Sequence, residues 1–273
     1  MADRPILFTA PMIRALIREI SAPGTGKTQT RRIMRLPTRT ASGGPIYERP
    51  DMGGWEPTTH GGGKCFTCGP DGLQIPVPEM VGMWHRTTGV GIVTPHQAGD
   101  RLWVRETWAH YHTINHIRRT HGGAFSEVSD GLAGYRADGH DSIDDFREHI
   151  RLMSGCDLEA VEINGSRWRP SIHMPRWASR LTLYVSEVRV ERLQDISEAD
   201  AIAEGVECDS DGWRDYLMPQ SQCCSTARDS YRSLWDSLNG PGAWEANSWV
   251  AAYTFAPRLG NIDTLPATIQ EAA

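Results

Sequence analysis

The chain has 273 residues, a formal net charge of -6 at pH 7 and 39% hydrophobic residues. That length holds one large domain or two small ones, and the acidic balance argues against a general binder of polyanions. The N-terminal stretch MADRPILFTAPMIRALIREI puts Asp3 and Arg4 before a short apolar run, so it lacks the h-region of a signal peptide, and no run approaches a membrane span. Six cysteines without a secretory signal point to reduced thiols. The expectation is a cytoplasmic protein with no membrane partner.

In chain order, Ile6 to Thr9 read as a short strand. Pro11 suits the first turn of a helix, in which Ile13, Leu16, Ile17 and Ile20 recur at helical spacing. The turn PGTG ends that helix, and KTQTRRIM follows. From Leu36 to Ala98 the composition shifts to Gly, Pro and Thr with no sustained period, which reads as an insertion. Asp100 to Trp108 alternates Leu102 and Val104 against Arg101, Trp103 and Arg105, the pattern of a strand. Residues 112–165 read as irregular, apart from a short helix over Ser142 to Leu152. The strongest strand runs from Arg180 to Leu193. Leu181, Leu183 and Val185 are out of phase with Val188 and Val190, so a bulge is expected near Ser186 and Glu187.

Ser197 is placed to cap a short helix, with Asp200 three positions on and Gly205 at its end. After an insertion at about 206–225, a longer helix spans Ala227 to Leu238, with Tyr231, Leu234, Trp235 and Leu238 on one face. SWVAAYTFA (248–256) is the final strand, and the tail at 258–273 reads as frayed. Few helices and dispersed strands indicate an α+β class, mainly β, in a single domain over 1–257.

Charge is uneven along the chain. No acidic residue lies between Glu19 and Glu48, where Lys27, Arg31, Arg32, Arg35 and Arg39 occur, nor between Glu162 and Glu187, where Arg167, Arg169, Arg176 and Arg180 occur. Such windows favour a focused anionic ligand, with solvated loop charge as the alternative.

Ser21 to Thr28, SAPGTGKT, approximates a phosphate-binding loop with Ser21 where its first glycine belongs. That loop works only between a buried strand and a following helix, whose backbone N–H groups cradle the phosphates. Here an amphipathic helix precedes it and a β-branched, basic segment follows. ATP is therefore not expected as a ligand.

KTQTRR (27–32), GDRLWVRETW (99–108), YRADG (135–139), WRPSIHMPRWASRLTL (168–183) and ERLQDISEADAIAEG (191–205) occur in an order that resembles the ASCH-domain proteins of phages and prophages. The resemblance covers about half the chain and implies a PUA-like fold, a small β-barrel with flanking helices, here with long loop insertions. It extends distantly to a bacterial N(4)-acetylcytidine amidohydrolase, whose K-T-x-T-x-R segment and helix-terminal Glu supply its catalytic groups. By that resemblance the catalytic residues are Lys27, Thr30 and Glu204, and Arg32 belongs to the substrate site. Gln29 and Arg31 depart from the apolar residues of that segment.

The chemistry is coherent from the residues themselves. Amide hydrolysis needs a nucleophile, a base and a group that steadies the oxyanion. A Thr hydroxyl needs a neighbour to take its proton, and a lysine does so when burial or nearby cations lower its pKa. Glu204, ahead of Gly205, sits where the helix dipole disfavours a carboxylate. In an extended segment Lys27 and Thr30 converge only if the chain turns between Lys27 and Thr28, and Gly24 and Gly26 lie just upstream.

The segment 168–180 interleaves Trp168, His173 and Trp177 with Arg169, Arg176 and Arg180, a composition suited to stacking bases and holding phosphates. Trp103, Arg105 and Glu106 are assigned to line the same cleft. The alternative is a loop whose tryptophans pack on the core. Cys65 and Cys68, with His60 and His85 as further ligands, form the candidate set for a structural zinc, against two free thiols; no other cofactor is required. Three functions follow from the resemblance: an amidohydrolase acting on N(4)-acylated cytosine nucleosides, a non-catalytic module binding RNA or single-stranded DNA, and a ribonuclease.

Overall fold

Ile13 and Leu16 share a helical face and are fully buried, and the segment that carries them is helical from Ala10 to Ser21. In the computed structural model, residues 2–46, 54–62, 66–68, 72–118, 124–140, 142–153, 160–163, 167–218, 220 and 223–268 are described. The elements in order are β1 (Asp3–Leu7), α1 (Ala10–Ser21), β2 (Gln29–Ile33), β3 (Trp55–His60), β4 (Phe66–Cys68), β5 (Gln74–Pro76), β6 (Met80–His85), β7 (Gly91–Val93) and β8 (Arg101–Arg105). There follow β9 (Trp108–Arg118), β10 (Ala124–Tyr135), α2 (Ile143–Met153), β11 (Ala160–Ile163), β12 (Leu181–Arg192), α3 (Glu198–Ala203), β13 (Cys208–Asp209), β14 (Gly212–Arg214), β15 (Cys223–Cys224), α4 (Ala227–Asn239) and β16 (Trp249–Leu259). The class is α+β with strands predominating.

The largest sheet has five strands in the order β1-β8-β12-β16-β2. β1 runs parallel to β8, with Asp3 opposite Arg101 and Leu7 opposite Arg105. β16 and β2 are antiparallel, with Val250 opposite Ile33 and Thr254 opposite Gln29. Among the described residues the order ends at β1 and β2, so this sheet is open and the expected closed barrel is not formed by it. β12 is buried continuously from Leu181 to Val185, as for an interior strand covered on both faces. Two consecutive exposed residues, Ser186 and Glu187, then shift its alternation at the position where a bulge was expected.

The chain divides into two compact units, each assembled from separated segments. One comprises Met1–Ala2, Ala22–Asp100 and Tyr184–Ala256; the other comprises Asp3–Ser21, Arg101–Leu183 and Pro257–Ala273.

In the first unit α3 and α4 pack around Leu193, Ile196, Ala201, Val206, Ala227, Tyr231, Trp235, Trp244 and Val250. Burial of each large side chain in that set contributes roughly 1.5–3 kcal/mol. Thr226 caps α4 by accepting the Asp229 N–H, and Leu238 is exposed rather than part of the apolar face expected for it. The 36–98 segment, expected to be an irregular insertion, carries the antiparallel sheet β3-β6-β7 and the hairpin β4-β5. Trp55 and Met83 are buried there.

In the second unit β9 pairs with both β10 and β11, so the 112–165 region is largely sheet rather than irregular; its helix is α2, as expected. Gly134 on β10 lies so close to the Phe146 ring that a Cβ would meet Cζ at 2.0 Å. The segment after Pro257 is not frayed up to residue 268. Ile262 is fully buried, and Asn261 Nδ2 donates to the carbonyls of Arg176, Trp177 and Ser179. Residues 269–273 lie outside the described set.

Candidate functional site

Two hydrogen bonds fix the backbone around Lys27 in the first unit. The Thr28 N–H donates to the carbonyl of Ala203, at the end of α3, over 2.8 Å, and the Thr28 carbonyl accepts from Phe255 N–H on β16 over 2.8 Å. α3 itself is set by its sequence. Ser197 caps it by accepting the Asp200 N–H, and Gly205 ends it at φ 84°. Glu198 ties α3 to α4, its two carboxylate oxygens accepting the N–H groups of Ala227 at 2.6 Å and Arg228 at 3.0 Å. Glu204, just past α3, is thereby carried to Lys27.

Lys27 has 0% of its surface exposed. Its Nζ donates to Glu204 Oε2 at 2.6 Å and to the Glu204 backbone carbonyl at 2.7 Å. One ammonium thus neutralises a carboxylate and satisfies a carbonyl at a helix end. The other carboxylate oxygen, Oε1, accepts from Arg31 Nη1 at 3.2 Å and from the Tyr231 hydroxyl at 3.4 Å. Arg31 also reaches Glu191 Oε1 at 2.7 Å, Asp200 Oδ2 at 3.2 Å and Gln29 Oε1 at 2.6 Å. Buried charges in such numbers persist because they are paired and hydrogen-bonded.

Burial pushes the Lys27 pKa down, against the pull of Glu204 upward, and Arg31 and Arg32 add to the downward push. Burial, followed by the Glu204 charge, holds the Tyr231 phenol well above its ordinary value. Lys27 is therefore a lysine from which a proton is removed more easily than in water, with a carboxylate 2.6 Å away to share it.

Thr30 is buried on β2, directly opposite Tyr253 of β16. Strand alternation gives it the same face as Arg32 and the opposite face from Gln29 and Arg31. Arg31, on that opposite face, is the β2 residue that reaches Glu204. Arg32 is held within the field of Glu204, Tyr231 and Tyr253, which together oppose the lowering of its pKa by burial. Lys27 and Glu204 are thus brought into contact, while Thr30 and Arg32 lie on the face of β2 opposite Arg31. The sequence reading missed Glu191, Asp200, Tyr231 and Gln29 as partners. Asp200 was visible only as a helix-capping residue and Tyr231 only as an apolar face.

The remaining candidates lie in the second unit. Glu106 is buried and forms a two-pronged pair with Arg180, Oε1 to Nε and Oε2 to Nη2, each 3.0 Å. Arg180 also contacts Asp138 at 2.8 Å and lies 3.9 Å above the Tyr135 ring. Burial pushes the Glu106 carboxyl up, opposed by Arg180. Arg176 is held between Asp3 and Asp263, each at 2.6 Å. The guanidinium groups of Arg176 and Arg180, expected to face phosphate, are instead committed to carboxylates. Arg105 stacks on Trp103 and donates to the Ile172 carbonyl, and Arg169 stacks on Trp108. Trp168 packs on Phe146, His173 is exposed in a short turn, and Trp177 is 50% exposed, edge-on to Trp108 and His110.

Glu106→Ala is expected to lower stability by about 1–3 kcal/mol, because Arg180 loses a two-pronged partner but keeps Asp138. Urea denaturation followed by tryptophan fluorescence measures this, and a variant as stable as wild type would contradict it.

The two candidate histidines do not converge. His60 pairs with Met80 and His85 with Trp55, so the histidines stand at opposite ends of the β3/β6 ladder and on opposite faces. His85 is buried, its Nδ1 against Thr88 and its ring edge-on to Trp55. Cys68 is exposed, and Cys65 lies outside the described residues. Among the described residues no group of three or more His, Cys, Asp or Glu side chains is placed to hold a metal ion. Around Ser21–Thr28 the order is helix, turn, strand, the reverse of what a phosphate loop requires.

No family model, no curated protein and no solved structure matches this chain. No described helix is long and apolar enough to cross a membrane.

Proposed function

We propose that the protein is an ASCH-type, PUA-like protein directed at nucleobases, and that the cluster around Lys27 hydrolyses the amide of N(4)-acylated cytosine nucleosides. The observation that supports this most is the Lys27–Glu204 pair, fully buried at 2.6 Å and surrounded by Arg31, Arg32 and Tyr231. A buried lysine with a depressed pKa beside a carboxylate is a pair poised to move protons.

In this reading Glu204 takes the surplus proton of Lys27, and neutral Lys27 takes the proton of the Thr30 hydroxyl. The Thr30 oxygen bonds to the acyl carbon, whose C–N bond then breaks. The Lys27 ammonium returns a proton to the departing cytosine amine, and water cleaves the acyl-threonine in a second pass. Arg32 faces the substrate.

The test is incubation with N(4)-acetylcytidine and related acylated cytosines, with product followed by chromatography. Wild type is expected to release cytidine, and Lys27→Met and Glu204→Gln to lose at least about 100-fold in kcat. Absence of product from wild type, together with tight, salt-sensitive binding of oligonucleotides, would replace this reading with that of a non-catalytic binding module.

A further inference from the structure

Amide hydrolysis needs a donor aimed at the oxygen that becomes negative, and Glu204, Lys27 and Arg31 do not supply one. Glu204 is an acceptor, Lys27 is spent on Glu204, and Arg31 is spent on three carboxylates and Gln29. The face of β2 that carries Thr30 offers another candidate. Thr30 is opposite Tyr253 in the β2/β16 register. Directly opposed antiparallel residues have Cβ atoms about 4.5–5.5 Å apart on the same face.

Tyr253 is the largest fully buried side chain of the described residues, and its ring is held edge-on by His96 at 5.2 Å. Its hydroxyl makes no hydrogen bond of good geometry, although it lies beside the Thr94 hydroxyl and the His96 backbone. Those neighbours also bond to one another and to Gln97. The Thr94 hydroxyl donates to the His96 carbonyl at 2.7 Å and accepts from Gln97 Nε2 at 2.8 Å. An unpaired phenol in a dry interior costs stability. A hydroxyl kept in that condition, on the face of Thr30 and within the field of Arg32, is suited to a ligand atom.

Resting on the reading above, we propose that Tyr253 is a further catalytic residue, whose hydroxyl donates a hydrogen bond to the acyl oxygen as Thr30 attacks. The Thr30 oxygen forms its bond to carbon, and the carbonyl π pair moves onto the acyl oxygen. Tyr253 stabilises that charge without giving up its proton. When the oxygen pair re-forms the carbonyl, the C–N bond breaks and the amine leaves with the proton held by Lys27.

Tyr253→Phe separates this role from a structural one. A hydroxyl that makes no hydrogen bond of good geometry can be removed at little cost, so the urea midpoint of the variant at pH 7 is expected to equal or exceed that of wild type. Its kcat on N(4)-acetylcytidine is expected to fall about 100-fold or more, with KM within about threefold. A lowered urea midpoint would show that the hydroxyl serves the fold and would overturn the proposal. An active wild type with an unchanged kcat in the variant would overturn it while leaving the amidohydrolase reading intact. A wild type that releases no product removes both.

Discussion

Glu204→Ala is expected to destabilise the protein by about 3–5 kcal/mol, the largest effect of any single substitution near the candidate site. The carboxylate is the shared counter-charge of two buried cations. Lys27 Nζ lies 2.6 Å from one oxygen and Arg31 Nη1 lies 3.2 Å from the other. Removing it leaves a fully buried ammonium that keeps the Glu204 backbone carbonyl but loses its carboxylate, so most of the desolvation cost is no longer offset. Arg31 suffers less, since Glu191 and Asp200 remain within 3.2 Å. For a domain stable by about 5–15 kcal/mol this is a large fraction of the total.

The complementary change costs less. In Lys27→Met the carboxylate keeps Arg31 and Tyr231 on Oε1, and methionine refills most of the space left by the lysine stem. The order Glu204→Ala worse than Lys27→Met is therefore the signature of a carboxylate serving several partners. Equilibrium urea unfolding at pH 7 reads both. A Glu204→Ala variant within about 1 kcal/mol of wild type is incompatible with a buried pair, since breaking one costs about 3–5 kcal/mol. In that variant raising the pH should recover part of the loss, because Lys27 escapes its penalty by giving up its proton.

The parts of this architecture that were legible in the sequence are those specified locally. Pro11 with Ile13 and Leu16 defines α1, Ser197 with Asp200 and Gly205 defines α3, and the alternation around Leu102 and Val104 defines β8. What could not be read is what depends on distant partners. The strands β9, β10 and β11 are mixtures of polar and apolar residues that become strands by pairing with one another. The tail after Pro257 is polar and short, yet Arg101 gathers the carbonyls of Ile262, Leu265 and Pro266.

The same limit applies to charge. The window holding Arg176 and Arg180 has no acid nearby in sequence, but Asp3, Asp263, Glu106 and Asp138 are brought to it by the fold. A local count of charges therefore does not see the carboxylates that pair with Arg176 and Arg180. Around Lys27, the pairing with Glu204 was reached through resemblance. Glu191, Asp200 and Tyr231 carried no signal beyond that of a strand acid, a cap and a core aromatic.

Titration of Tyr253 gives the second large effect. Burial pushes its phenol from an ordinary value of 10.0 up to about 12, beside Thr94, His96 and Arg32, which pull the other way. In the unfolded chain the same group ionises near 10. Below pH 10 it is protonated in both states and contributes no pH dependence. Between about 10 and 12 the unfolded state loses the proton first, so the folded state binds more protons and stability falls as pH rises. A raised value of this kind is lost through the folded-state pKa, and the loss approaches about 2–3 kcal/mol by pH 12 at 1.36 kcal/mol per unit. Lys27 works in the opposite sense, because its lowered pKa means the folded state gives up its proton before the unfolded state does. The two are separated by difference. The stability of wild type minus that of Tyr253→Phe should be flat up to pH 10 and then decline by about 2–3 kcal/mol towards pH 12, since Lys27 and every arginine are common to both proteins. Urea midpoints at half-unit steps give that curve directly. A difference that stays flat through pH 12 would mean that the phenol ionises alike in the two states and is open to water, and it would remove the dry site on which its catalytic role depends.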